Sequence, residues 1–336
     1  MKFTFKIPMI CLLLVTCSSA GWHQNPRSPS TQPRPTHKSS PLNIGLTDST
    51  RQQWEIGLII QSPGLMTGVQ AAITIPMDWP EQTVTIIEQD LSPGLVVRQR
   101  VISGDVKQLL ITVPRVEPNQ TLKAIYTVEI QRARITAPLK TDQLKIPQTV
   151  GPELRKYMGV SPSIETTHPL IVNAGRELAA DAENDWQKVE IIYDWVRSHI
   201  KYKFDEELKG ALQALKSGEG DCEELTSLFI AICRNHGIPS RSVWIPGHCY
   251  PEFYLEDAAG NGYWYPCQVA GSRSFGAMPE YRPVLQKGDN FRLPGSSKSQ
   301  RYVAETFRAT RYTKPPMIQF LRRRVGSESP FAPVLE

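Results

Sequence analysis

Gly220-Asp-Cys-Glu-Glu-Leu-Thr-Ser-Leu-Phe-Ile-Ala-Ile-Cys-Arg-Asn-His-Gly-Ile-Pro-Ser-Arg241 is the stretch from which the fold can be read. Asp221 suits a helix N-cap, and Glu224 follows three residues later, as a capping box requires. Leu225, Leu228, Phe229, Ile232 and Cys233 recur at helical spacing and form one apolar face. Asn235 and Gly237 end the helix, and Pro239 forbids its continuation. Cys222 therefore falls in the first turn, where unpaired backbone N–H groups and the positive end of the helix dipole favour a thiolate.

Two segments downstream supply partners for that thiol. His248 lies in Gly247-His-Cys-Tyr-Pro-Glu-Phe-Tyr-Leu255, and Gln268 ends Gly262-Tyr-Trp-Tyr-Pro-Cys-Gln268. Between them, Glu256-Asp-Ala-Ala-Gly-Asn-Gly262 reads as the turn of a hairpin. A turn centred on Ala258 opposes His248 to Gln268 and Cys249 to Cys267, on opposite faces of the ribbon. A histidine held by a cross-strand amide, facing a thiol delivered by a helix, is a nucleophile–base–orienter set for cysteine acyl transfer. The other pair is close enough for a Cys249–Cys267 disulfide if register and rotamers permit.

On these residues the segment from about 168 to 293 resembles the transglutaminase-like superfamily, a papain-related fold found in tissue transglutaminases and in many bacterial secreted proteins. The family's helix cysteine matches Cys222, in a Gly-x-Cys context followed by Arg234, Gly237, Ile238, Pro239 and Arg241. Its histidine matches His248, which precedes the acidic-aromatic run Glu252-Phe-Tyr254. The third position, normally aspartate after a Trp-x-Pro-x pattern, is Gln268 after Trp264-Tyr-Pro-Cys267. The resemblance implies a helix-borne cysteine packed on an antiparallel sheet, catalytic residues Cys222, His248 and Gln268, and a protein or peptide substrate. Some family members support the oxyanion with an upstream tryptophan. Neither Trp186 nor Trp195 matches it, and both read as helix-packing residues.

The chain has 336 residues, 40% hydrophobic and 21% charged, which is the composition of a globular protein with room for two domains. A net charge of +5, without a basic patch interleaved with aromatics, excludes a nucleic-acid footprint. Met1 to Ala20 reads as a secretory signal: Lys2 and Lys6, the apolar run Ile7–Val15, then Ser18-Ser-Ala20. Lipoprotein processing at Cys17 is the less favoured alternative, because Thr16 makes a poor lipobox. The expectation is an exported protein, in the periplasm, cell envelope or outside the cell, with no later membrane span. Of the remaining cysteines, Cys222 and Cys233 share a helix at roughly 16 Å and cannot bridge each other. No Cys-x-x-Cys spacing suggests zinc, no acidic loop resembles a calcium site, and no cofactor is expected.

Residues 21–41 form a Pro/Ser-rich linker. Strand-like runs follow at Trp54–Ile60, Val69–Ile75, Thr83–Glu88, Leu95–Val101, Gln108–Val113 and Leu122–Ile135, separated by turn residues. They predict a β-sandwich over 42–137. Asn119-Gln-Thr121 fits either a turn or a glycosylation acceptor. A connecting segment, 138–165, precedes the transglutaminase-like domain expected at 166–311. Within that domain, helices are expected at Leu170–Leu178, Asp185–Ile200 and Leu208–Leu215, and Tyr302–Thr310 reads as the last strand. Residues 312–336, with Arg322-Arg-Arg324, read as a solvated basic tail.

The expected fold is thus α+β, an N-terminal β-sandwich followed by a papain-like transglutaminase core. The expected function is thiol acyl transfer on protein amides by a Cys-His-Gln site: crosslinking, deamidation or peptide cleavage. The alternative is a catalytically weak or inactive peptide-binding or structural module of the cell envelope, marked by a Cys222 buried behind Tyr250 or another aromatic. The sequence leaves the oligomeric state open.

Overall fold

Alternating apolar residues build the first half of the molecule, a computed structural model that describes residues 44–326. The expected secretory signal, the expected Pro/Ser linker, the alternative processing site at Cys17 and the end of the expected basic tail (327–336) lie outside the described residues. Six strands come first: β1 (Gly45–Ser62), β2 (Met66–Ile75), β3 (Gln82–Leu91), β4 (Val96–Ile102), β5 (Val106–Val116) and β6 (Gln120–Thr136). Every second residue of β1 from Trp54 to Ile60, and of β6 from Leu122 to Ile130, is buried. They meet Val69, Ala71 and Ile73 of β2 and Leu109, Ile111 and Val113 of β5 in one core, the filling of a two-sheet sandwich. Asn119 turns the chain into β6 at φ 61, the left-handed conformation asparagine tolerates.

The second half runs α1 (Pro152–Arg155), α2 (Pro169–Arg176), α3 (Asp185–His199), β7 (Lys201–Tyr202), α4 (Gly210–Ser217), β8 (Glu219–Gly220) and α5 (Cys222–Asn235). Then come β9 (Ser240–Ile245), β10 (His248–Glu256), β11 (Gly262–Gln268), β12 (Ser274–Phe275) and β13 (Gln286–Lys287). The chain closes with β14 (Phe291–Arg292), β15 (Ser299–Gln300), β16 (Thr306–Arg308), β17 (Arg311–Tyr312) and β18 (Met317–Arg324). α5 is the hub of this half. Sequence spacing assigns it one apolar face, but the structure buries every residue from Glu224 to Arg234. The reason is its neighbours: α2, α3 and α4 surround it, and β9 and β10 floor it.

Two readings of the C-terminal segment are corrected. The strand expected over Tyr302–Thr310 contracts to β16, and the solvated tail expected from residue 312 contains β17 and β18. β18 lies antiparallel to β1, from Gln61 opposite Met317 to Trp54 opposite Arg324. Its period-two pattern is masked by its charge. Ile318 and Phe320 pack on the sandwich core, and Arg322, on the same face, pairs with the buried carboxylate of Glu305. A charge with a buried partner can occupy a position that otherwise calls for an apolar residue.

One sheet has the order β18-β1-β6-β3; the other runs β12-β11-β10-β9-β13-β5-β2-β16, with β4 also on β5 and β17 also on β2. The sandwich is therefore completed by strands from the far end of the chain. The second sheet passes without a break from the helical core into the sandwich. The splice is β13, where Gln286 pairs with Trp244 of β9 and with Val106 of β5. Beside it lies a buried ionic cluster. Lys287 Nζ donates to Glu252 Oε1 at 2.6 Å and lies 2.9 Å from Glu81 Oε1, while Arg241 reaches Glu252 Oε2 at 2.8 Å. Burial pushes the Glu81 carboxyl up, but the Lys287 and Arg132 charges prevail and hold it down at about 2.

The hairpin register also differs from the expected one. Phe253 faces Tyr265, where a turn centred on Ala258 would oppose it to Tyr263. The Asp257 carboxylate accepts from the backbone N–H groups of Ala259 and Asn261, tightening a turn that lies closer to β11. A shift of two keeps each side chain on its expected face. The Cys249–Cys267 disulfide is not formed: all four described cysteines are free. The Cys249 thiol instead points to α5, 3.5 Å from the carbonyl of Cys222 and 3.7 Å from Thr226 Oγ1.

Candidate active site

The cap of α5 sets the nucleophile. Asp221 Oδ1 accepts from the Glu223 N–H at 2.7 Å, and Glu224 Oε2 accepts from the Asp221 N–H at 3.1 Å, closing the capping box. Gly220, just before the cap, has no room for a side chain, since a Cβ there would lie 2.6 Å from that of Glu224. Cys222 follows as the first helical residue, half-buried, with its backbone N–H among those the helix leaves unpaired.

His248 is the first residue of β10 and meets that helix end. Its Nε2 donates to Gln268 Oε1 at 3.0 Å, and its ring is in hydrogen-bond contact with the Cys222 sulfur. Cys222, His248 and Gln268 are thus brought together, although the shifted register makes the His248–Gln268 contact a diagonal one. Gln268 is fixed from behind by α3. Its backbone carbonyl accepts from Tyr193 Oη at 2.7 Å and from Arg197 Nη1 at 2.9 Å, and Arg197 also holds the carbonyls of Val269 and Gly271.

Sequence reading missed Cys249. Neighbours on a strand point to opposite faces, so His248 and Cys249 read as belonging to separate sites. Both reach Cys222, because the start of α5 meets the start of β10, just after the chain turns through Gly247 at φ 69. The Cys249 thiol lies against Cys222, 3.5 Å from its carbonyl. The Cys249 thiol is the largest influence that brings Cys222 down to about 4, opposed by burial and reinforced by His248. In return, burial lowers His248, but the Cys222 sulfur and the Gln268 amide outweigh it and raise the imidazole above its ordinary value. Both shifts favour a thiolate–imidazolium pair. Burial, Glu224 and the Cys222 charge also push Asp221 up, to about 7.

Tyr202 is a second residue that sequence reading passed over. β7 places it opposite Gly220, and burial, then the Cys222 charge, raise its phenol. Trp186 and Trp195 are not at the site. Trp186 packs edge-on against Phe253, Tyr265 and Phe275, and Trp195 stacks on His199 at 4.1 Å. Tyr250 does not cover the sulfur: it is fully buried and accepts from Arg132 at 3.0 Å. Among the described residues no group of three or more His, Cys, Asp or Glu is arranged to hold a metal ion. Likewise, no described helix is long and apolar enough to cross a membrane.

The family model of the transglutaminase-like superfamily matches residues 173–269, a span that contains Cys222, His248 and Gln268. A candidate cysteine protease from Cytophaga hutchinsonii superposes with a TM-score of 0.56 at 14% identity, over 86% of this chain and 95% of its own. That likeness covers the fold of both halves. The periplasmic domain of TgpA from Pseudomonas aeruginosa, bound to ethylmercury, aligns over 66% of this chain and 90% of its own at 11% identity, with a TM-score of 0.31. No curated protein matches the chain.

Proposed function

Because the chain carries a domain of the transglutaminase-like superfamily, we propose that it is an exported enzyme that performs thiol acyl transfer on protein amides. The observation that carries this reading is the sulfur of Cys222 at a capped helix start, in contact with an imidazole that Gln268 orients at 3.0 Å.

In the proposed reaction the Cys222 thiolate attacks the carbonyl carbon of an amide. The charge that develops on oxygen is met by the Cys222 N–H, which the helix leaves unpaired. His248 gives its proton to the departing nitrogen as the C–N bond breaks, leaving a thioester on sulfur. Water or a primary amine then attacks the thioester while His248 takes up its proton, and the thiolate is released. Deamidation, peptide cleavage and crosslinking are the three outcomes of this one sequence. Export rests on the signal-like segment Met1–Ala20.

The test is to incubate the mature protein with glutamine-containing proteins and a fluorescent primary amine, following amine incorporation, ammonia release and new peptide termini together. At least one signal should appear and vanish in Cys222→Ala and His248→Ala. Equal signals in wild type and Cys222→Ala would overturn the proposal.

Gln268 favours a second reading. A neutral amide steadies imidazolium less than a carboxylate does, which suits a weak or inactive module that holds an extended peptide. Tight peptide binding that survives in Cys222→Ala, with no acyl transfer in the wild type, would establish it.

A further inference from the structure

The proposed mechanism uses one thiol of the site and leaves the other idle. Cys249 is buried, and its sulfur lies against the residue that carries the nucleophile, 3.5 Å from the carbonyl of Cys222 and 3.7 Å from Thr226 Oγ1 one turn along the same helix. The two sulfurs belong to residues on different elements, the start of α5 and the start of β10, so no short helical spacing keeps them apart. Among the described residues the remaining thiols, Cys233 and Cys267, are fully buried in the helical core.

We infer that Cys222 and Cys249 form a peroxide-reactive dithiol site, in which Cys222 is the sulfur that is oxidised and Cys249 is the sulfur that resolves it. This rests on the reading of Cys222 as an activated thiolate. The chemistry balances with a hydroperoxide as the oxidant. The Cys222 thiolate attacks the peroxide, the O–O bond breaks, and a sulfenic acid forms with release of hydroxide. Oxidation removes the negative charge that keeps Cys249 protonated, a charge that, after burial, contributes to raising its thiol. Cys249 then loses its proton to that hydroxide and attacks the Cys222 sulfur. The S–OH bond breaks, an S–S bond forms, and the departing hydroxide leaves as water with a proton from His248. Two thiol sulfurs give up two electrons and the peroxide is reduced. The disulfide masks the nucleophile, and a small thiol reductant restores it. Without Cys249 the sulfenic acid would remain open to further, irreversible oxidation.

The test uses the full mature chain. It is treated with hydrogen peroxide, its remaining thiols are blocked with N-ethylmaleimide, and intact mass and non-reduced peptides are read. The expected result is a loss of two hydrogen masses, one crosslinked peptide joining Cys222 to Cys249, unchanged Cys233 and Cys267, and full return of Cys222 alkylation after dithiothreitol. In Cys249→Ser, and in Cys249→Ala should the serine variant fold poorly, Cys222 should instead be trapped by dimedone and lose its recovery. A stable dimedone adduct on wild-type Cys222, with Cys249 still free, would overturn the inference and leave the nucleophile intact. A Cys222 that neither alkylates quickly nor reacts with peroxide would overturn both.

Discussion

Gln268 Oε1 lies 3.0 Å from His248 Nε2, so the imidazole is pinned through one nitrogen and has the other, Nδ1, to exchange a proton with Cys222. This contact makes the amide a positioning group, and its removal and its replacement by a carboxylate should differ. Gln268→Ala loses a hydrogen bond to a charged ring, worth about 1.5–3 kcal/mol, and should slow acylation by about ten- to a hundredfold. Gln268→Asp should retain activity. Turnover measured on the best amide substrate checks both, and an inactive aspartate variant would remove the orienting role.

Alkylation of Cys222 by iodoacetamide should depend on pH unlike an ordinary thiol. The thiolate is the reactive form and the sulfur titrates at about 4, so labelling should already be on its plateau at pH 6. Loss of the imidazolium in His248→Ala should raise the sulfur's titration and carry the plateau to higher pH, so the difference from wild type is largest at pH 5 and fades toward pH 9. Turnover, which needs imidazolium as acid, should decline as pH rises through the raised value of His248. Peptide-resolved mass spectrometry across pH 5 to 9 reads the labelling directly.

The cap should leave its own mark on stability. Burial, Glu224 and the Cys222 charge raise the Asp221 carboxyl to about 7, above its unfolded value of about 3.9. A raised folded value means stability fully present below about pH 4 and lost as pH rises through about 7. Asp221→Asn keeps the acceptor that caps α5 and should flatten that slope. Asp221→Ala removes the acceptor and should cost about 1 kcal/mol at every pH. Thermal unfolding from pH 4 to 8 distinguishes the two variants.

Removing β18 should injure the sandwich. Truncation after Thr313 strips the partner from β1 between Trp54 and Gln61 and uncovers an unpaired edge. The truncated chain should aggregate or melt far below the full chain. Phe320→Ala, which only deletes a partly buried ring, should cost about 2–3 kcal/mol and stay monodisperse. Light scattering with denaturant unfolding reads both, and an unchanged midpoint in the truncation would show that β18 contributes nothing.

Much of this molecule is legible residue by residue. Asp221 and Glu224 announce a helix start, and the alternation from Trp54 to Ile60 announces a strand, because each signal is local. What stays hidden depends on a remote partner. Arg322 looks like solvated charge until Glu305 is placed beneath it. Cys249 looks like the far side of a ribbon until the start of α5 is brought to the start of β10. The register slips by two because the Asp257 carboxylate recruits backbone N–H groups that the residue types alone do not assign. Gln268 is a different case. Its position was readable from Trp264 and Pro266, but the hold of Tyr193 and Arg197 on its carbonyl came from a helix some seventy residues earlier.

The splice at β13 also bears on how such a chain can change over generations. Lys287 holds a carboxylate from each half, Glu81 and Glu252, so the two halves share one balance of charge. An exchange of segments between related genes with its breakpoint between those two positions would join acids and a lysine that had no common history. Unless the incoming half carried a matching acid, Lys287 would be left a buried, underpaired cation, a fault costing about 3–5 kcal/mol. Glu81, Glu252 and Lys287 are therefore expected to be inherited as a set, or to be replaced together by apolar residues.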